Sequence, residues 1–275
     1  MSTYLAAAPT TDGPDAGAPR LFCFHHAGAG ALTFARWRHA FAPGVCVLPV
    51  RLPGRETRLR EPRITDARRL IAELEAQLGP LLTGPYALYG HSLGALVAHR
   101  FAQRLEHTGR PAPVLVGLGA CPPPHLPMPL RGHEELPDAA LLAALERFGT
   151  LPPFLSARPH LLRTLLATLR DDLRLAAGLR ALGGGDGADG QGWDTPLACP
   201  VHTFAGEDDQ AAPARDIAQW RRWTRGDFVP HTLPGGHFFV RDAALPRLLA
   251  RRLGSAVRRR ESATGSRAVP HAHSG

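Results

Sequence analysis

The segment Pro85-Tyr86-Ala87-Leu88-Tyr89-Gly90-His91-Ser92-Leu93-Gly94-Ala95-Leu96-Val97-Ala98 decides how the rest of the chain is read. An apolar run meets Gly90-His91-Ser92-Leu93-Gly94, and a helix-forming run follows at once. A Gly-x-Ser-x-Gly pentapeptide in that setting predicts a strand turning sharply into a helix, with serine at the tip. Gly90 and Gly94 supply no side chain where a strained turn crowds its neighbours. Ser92 Oγ is then exposed, and the Leu93 amide, at the helix N-terminus, can point at an oxyanion developing beside it.

Working outward, the elbow strand has companions. Leu21-Phe22-Cys23-Phe24, Val45 to Val50, Val114 to Gly119 and Val201 to Ala205 are continuous apolar runs, as strands covered on both faces require. Helical spacings separate them: Phe34, Trp37 and Phe41; Leu70, Ile71, Leu74 and Leu78, with Thr65 as the expected cap; Ile217, Trp220 and Trp223. This alternation predicts an α/β fold, a mostly parallel central sheet with helices on both faces.

From Pro122 to about Leu182 the alternation stops, and a proline-rich approach leads into two amphipathic helices. One runs from Asp138, as its cap, to Gly149. The other carries Leu161, Leu162, Leu165, Leu166, Leu169 and Leu173, with Arg170, Asp171 and Asp172 on its other side. An insertion of this kind between core strands predicts a helical lid that moves over the site. The expected organisation is a flexible leader (1–19), a core (20–121 and 199–254), the lid (122–182), a glycine-rich linker (183–198) and a disordered tail (255–275).

Composition narrows the class of protein. With 44% hydrophobic residues in 275, the chain can bury a substantial core, which excludes general disorder. No apolar run approaches the ~18 residues of a membrane span, and residues 1–19 lack the basic-then-apolar order of a secretory signal. Cys23, Cys46, Cys121 and Cys199 are too far apart for a Cys-x-x-Cys site; with the missing signal they point to the cytoplasm. The net charge of +8 comes almost wholly from scattered arginines without a basic-plus-aromatic motif. It therefore favours an acidic protein partner over nucleic acid. His25-His26 has no third ligand at suitable spacing, so no metal is expected.

A serine hydroxyl is a poor nucleophile at neutral pH and needs a base, and the base needs a group to orient it. Behind an elbow of this type the chain order is serine, acid, histidine, each on a strand-end loop. Gly206-Glu207-Asp208-Asp209-Gln210 offers three carboxylates after the strand Val201 to Ala205, and Asp209, Asp208 and Glu207 all remain candidates, in that order. Among 14 histidines, His237 alone combines a strand-end glycine loop, Gly235-Gly236-His237-Phe238-Phe239, with the required order. The second oxyanion donor should come from the loop after the first strand. In His26-Ala27-Gly28-Ala29-Gly30 the small residues let a backbone approach a carbonyl, and the Ala27 amide is the expected donor.

His26-Ala27-Gly28-Ala29-Gly30, Leu52-Pro53-Gly54-Arg55-Glu56, Tyr89-Gly90-His91-Ser92-Leu93-Gly94-Ala95 and Gly235-Gly236-His237-Phe238-Phe239 occur in this order. Together they resemble the type II thioesterases that accompany polyketide synthases and nonribosomal peptide synthetases. The resemblance spans about Leu21 to Leu253 and includes Leu169-Arg170-Asp171-Asp172-Leu173-Arg174-Leu175. It implies an α/β-hydrolase fold and hydrolysis of acyl thioesters on the phosphopantetheine arm of carrier proteins, which clears stalled or misprimed chains without a cofactor of the enzyme's own. It implies an acid three residues after a strand-end glycine; on Gly206 that selects Asp209, although Gln210 stands where the family has proline and keeps Asp208 in view. The expected site is thus Ser92, Asp209 and His237, with the amides of Ala27 and Leu93. A carboxylester or acyl-CoA hydrolase on the same fold is the alternative.

Overall fold

The apolar runs become β1 (Arg20–Phe24), β2 (Cys46–Pro49), β3 (Tyr86–His91), β4 (Leu115–Gly119) and β5 (Val201–Gly206), joined by β6 (Phe228–Leu233). They form one sheet in the order β2-β1-β3-β4-β5-β6, with every neighbouring pair parallel. The computed structural model describes residues 4–6, 17–41, 44–127, 130, 132–147, 159–183 and 193–267. Parallel neighbours need crossover connections, and helices supply them. α1 (Arg38–Phe41) joins β1 to β2, α2 (Ala67–Leu78) joins β2 to β3, and α3 (Leu93–His107) joins β3 to β4. α4 (Asp138–Arg147) and α5 (Pro159–Ala181) lie between β4 and β5, α6 (Ala214–Ile217) precedes β6, and α7 (Ala244–Arg267) closes the chain.

Successive side chains of a strand point to opposite faces, so the sheet separates two cores. Phe22 and Phe24 of β1, with Tyr86 and Leu88 of β3, meet Leu70, Leu74, Leu96, Phe101 and Leu179 from α2, α3 and α5. Leu21, Cys23, Ala87 and Tyr89 face the other way, against Phe34, Trp37, Phe41 and the α7 leucines Leu245, Leu249 and Leu253. β3 is buried along its whole length because it lies inside the sheet and is covered on both sides. The strand carrying the elbow is therefore supported on every side.

Several local expectations are corrected. Asp66, not Thr65, caps α2: its carboxylate accepts the Arg69 N–H at 2.7 Å, the three-residue reach of an N-cap. At α4 the Pro137 carbonyl accepts the Ala140 and Leu141 amides, and the Asp138 carboxylate turns instead to Arg170 at 2.7 Å. Tyr4 and Leu5, in the expected leader, are buried; Leu5 bridges Val50, and the Arg51 N–H donates to the Tyr4 carbonyl at 2.7 Å. These two side chains have apolar area to bury, which their small neighbours lack. Trp193, in the expected linker, is buried, and its carbonyl accepts from Arg100 and Gln103. The expected tail begins as helix: α7 runs on to Arg267, with Ala256 and Val257 in the second core.

The expected lid divides in two. Leu141 and Leu145 of α4 cluster with Leu166, Leu169 and Leu173 of α5, whereas Leu175, Ala176 and Leu179 belong to the main core. Asp172, expected on the outer side of α5, is buried. Gly149, the Leu161 side chain, Gly184 to Gly190 and the tail from 268 on lie outside the described residues.

Candidate active site

β3 ends at His91 and α3 starts at Leu93, so Ser92 makes the turn alone, at φ 54° and ψ −117°. A left-handed φ at a residue other than glycine is strained and persists only where its surroundings impose it. The Ser92 N–H donates to the Gly119 carbonyl at 2.8 Å, and the Ser92 carbonyl accepts from the Ala95 N–H at 2.9 Å. A Cβ on Gly90 would lie 1.9 Å from the Gly94 carbonyl oxygen, and one on Gly94 would lie 2.1 Å from the Phe24 carbonyl oxygen. Backbone meets backbone at both places, so neither glycine can be replaced without moving a strand.

His237, on the loop after β6, places Nε2 3.2 Å from Ser92 Oγ and Nδ1 2.9 Å from Asp209 Oδ2. Asp209 is buried, and its Oδ1 accepts the Ala211 and Ala212 amides at 3.0 and 3.1 Å. Both carboxylate oxygens are thereby engaged. Asp208 and Glu207 are exposed and meet the site only through backbone, their amides donating to the Gly235 and Leu233 carbonyls at 3.0 and 2.9 Å. Those bonds tie the acid loop to the base loop and turn Asp209 inward. The geometry brings Ser92, His237 and Asp209 together and leaves Asp208 out.

His91 was given no role by sequence reasoning, yet it holds this arrangement from below. Its Nε2–H donates to the His237 carbonyl at 2.8 Å, and the Tyr89 hydroxyl donates to its Nδ1 at 3.0 Å. A carbonyl can only accept, which assigns the tautomer. Burial pushes the His91 pKa well below its usual value, so the ring is neutral. The signal in the sequence was a bulky polar residue inside an otherwise apolar elbow.

Opposite the elbow, the amides of Ala27 and Leu93 have no acceptor among the described residues. His25 and His26 brace this loop through Nδ1–H bonds to the His26 and Ala27 carbonyls at 2.9 and 3.0 Å. Burial pushes both imidazoles down to about 3, with the nearby Arg55 charge adding to the effect on His25. Both are neutral at physiological pH. Among the described residues no three His, Cys, Asp or Glu side chains converge on a metal-sized site.

A strained serine with a histidine and a buried aspartate in line now has a context to be compared with. A family model of the thioesterase domain matches residues 19–255. The chain belongs to the thioesterase family. Thioesterase PikA5 of Streptomyces venezuelae is 36% identical over 229 residues, spanning 82% of this chain and 76% of that protein. The RedJ thioesterase from the prodiginine biosynthetic pathway of Streptomyces coelicolor superposes with a TM-score of 0.77 at 33% identity, covering 91% and 96% of the two chains. BorB, the type II thioesterase from the borrelidin biosynthetic cluster, gives 0.73 at 31% identity, covering 86% and 93%. These matches bear out the resemblance to the type II thioesterases and the α/β-hydrolase fold.

In this thioesterase a cavity of about 620 Å³ opens over Ser92 and His237. Leu96, Leu145, Leu169 and Leu173 line it, together with Leu32 and Leu59, which are 74% and 65% exposed. The chamber is thus mainly apolar, and α5 forms one of its walls.

Proposed function

We propose that the enzyme hydrolyses acyl thioesters carried on the phosphopantetheine arm of acyl or peptidyl carrier proteins, and so edits polyketide or nonribosomal peptide assembly lines. The line Asp209–His237–Ser92, at 2.9 and 3.2 Å beneath an apolar cavity, carries the reading. The relatives support the substrate class. PikA5 is a thioesterase, RedJ belongs to the prodiginine biosynthetic pathway and BorB to the borrelidin biosynthetic cluster. The basic chain suits an acidic carrier, and such an encounter belongs in the cytoplasm. α4 and the first half of α5 serve as the lid of the acyl chamber.

In this mechanism His237 Nε2 takes the Ser92 proton as Oγ attacks the thioester carbonyl carbon. Asp209 accepts the Nδ1 hydrogen bond and stabilises the imidazolium. The Ala27 and Leu93 amides donate to the oxyanion. Collapse breaks the C–S bond, and His237 returns the proton to the departing thiol of the arm. His237 then deprotonates water, which attacks the acyl-serine; the acid leaves and Ser92 regains its proton. Every step uses groups of the chain, water and the substrate, with no further cofactor.

One acyl group offered on carrier protein, on coenzyme A and as a simple ester, followed by mass spectrometry, tests the reading. The expected result is the highest kcat/KM on the carrier, with Ser92→Ala leaving the carrier loaded. An equal or higher kcat/KM on coenzyme A or the ester would overturn the carrier assignment. A wild-type enzyme that a fluorophosphonate does not label would overturn Ser92 as nucleophile.

A further inference from the structure

The loop that presents the Ala27 amide has little backbone bonding of its own. Its internal backbone bond, from the Ala29 N–H to the His26 carbonyl, is long at 3.2 Å, and Gly28 sits in the left-handed region at φ +73°. Its shape is therefore set by side chains, His25 and His26 from within and α5 and Arg55 from outside. Asp172 Oδ2, on α5, accepts the Gly28 N–H at 2.7 Å, and Arg55 Nη1 donates to the Ala29 carbonyl at 2.8 Å. The two side chains are joined by a two-pronged ion pair, Nη2 to Oδ1 at 2.8 Å and Nη1 to Oδ2 at 3.1 Å. Arg55 is 7% exposed and Asp172 2%. Leu165 packs so closely that a Cβ on Gly28 would lie 2.7 Å from its Cδ1.

Desolvation offsets much of the attraction in a buried ion pair, so stability alone is a poor account of this one. Its geometry offers a better account. The Ala27–Gly28 peptide is gripped at both edges, its carbonyl by His26 Nδ1–H at 3.0 Å and its N–H by Asp172 at 2.7 Å. The Ala27 N–H belongs to the preceding peptide, whose His26 carbonyl accepts from His25 Nδ1–H at 2.9 Å and from the Ala29 N–H at 3.2 Å. Two held planes meeting at the Ala27 Cα leave little freedom in the direction of that N–H. The planar guanidinium fork in turn fixes the carboxylate that does the gripping. Leu169 and Leu173, on either side of Asp172 along α5, line the acyl cavity.

We propose that Asp172 and Arg55 are positioning residues for the oxyanion hole, which makes α5 a part of the catalytic frame as well as a cover. The assignment rests on the reading, given above, that the Ala27 amide is an oxyanion donor. Lifting α5 at Asp172 releases Gly28 and lets the donor swing, so hydrolysis requires α5 seated on the loop. The Leu52–Glu56 and Leu169–Leu175 motifs, far apart in sequence, meet for this purpose.

The test compares wild type with Asp172→Asn, Asp172→Ala and Arg55→Lys, each checked for an unchanged cooperative unfolding transition. Steady-state kinetics are read beside the affinities for two inhibitors: an acyl trifluoromethyl ketone, which forms a tetrahedral adduct with serine, and the matching thioether, which does not. Misplacing one oxyanion donor should lower kcat roughly 10- to 100-fold with KM nearly constant. Ketone affinity should weaken by a similar factor while thioether affinity holds. If Asp172→Ala fails to fold, Arg55→Lys, which keeps the charge but loses the fork, carries the test. Unchanged kcat, or parallel loss of ketone and thioether affinity, would overturn the proposal. The ketone binding wild type no better than Ser92→Ala would instead overturn the underlying oxyanion reading.

Discussion

Ser92 is poised because three backbones converge on it: its own strained turn, the end of β1 beneath Gly94, and β4 through the Gly119 carbonyl. Gly94→Ala would drive a methyl group to 2.1 Å from the Phe24 carbonyl oxygen. That variant is expected to lose activity through displacement of the elbow, checked by turnover beside circular dichroism. Ser92→Ala should lower kcat by about 10⁴ to 10⁶, measured on a single carrier-bound acyl group. The two neighbouring aspartates separate cleanly. Asp209→Asn should lower kcat by about 10⁴ through the wrong His237 tautomer, whereas Asp208→Asn, at an exposed side chain, should stay within about twofold. At this scale Ser92 and His237 were legible as residue types in chain order. The residues alone left three neighbouring carboxylates open and the family resemblance put Asp209 first with Asp208 in view, because which carboxylate turns inward depends on backbone bonds between the β5 and β6 loops.

Among the elements, α5 does two jobs. Its second half is nailed to α3 by Arg100, a fully buried residue whose guanidinium donates to the carbonyls of Leu179 and Leu182 at 2.9 and 2.6 Å and to that of Trp193. Burial pulls the Arg100 pKa down to about 10, which still leaves it charged at neutral pH. Arg100→Met should destabilise the fold by on the order of 3 kcal/mol, read from urea unfolding, since the Leu179 and Leu182 carbonyls lose the Arg100 donor and that of Trp193 keeps only Gln103. The first half of α5 carries the leucines of the chamber wall and the Asp172 contact. Leucine spacing announced the helix and its apolar face. It could not show that Asp172 turns in, because the partner, Arg55, stands 117 positions away.

Across the molecule, buried neutral histidines make the fold sensitive to acid. Burial lowers His25 and His26 to about 3 and His202 to about 4, and pushes His91 and His99 well below the usual range. In the unfolded chain each takes up a proton near pH 6.5. The unfolded state thus binds more protons once the pH drops below that point, and each histidine removes about 1.4 kcal/mol of stability per pH unit until its folded pKa is reached. Stability should be complete above about pH 7 and fall steeply toward pH 5, followed as the urea midpoint against pH. His99 is packed against Trp220 and Trp223, and neither of its ring nitrogens has a partner among the described residues. His99→Leu should therefore raise the midpoint at pH 7 and flatten the acid slope; a steeper slope would contradict this account.

Sequence by itself determined the alternation of strands and helices, the turn at Ser92, the strand-end loop of His237 and the small residues of the loop after β1. These are local matters of periodicity, of chain order and of glycine where no Cβ fits. Tertiary structure alone decided that Asp209 rather than Asp208 meets His237, that His91 supports the base loop, that Tyr4 and Trp193 belong to the packed interior, and that Asp172, paired with Arg55, grips the Gly28 amide of the loop after β1. Each depends on groups brought together across the sheet, and the direction in which a side chain turns is settled by the partner that satisfies it once water is excluded.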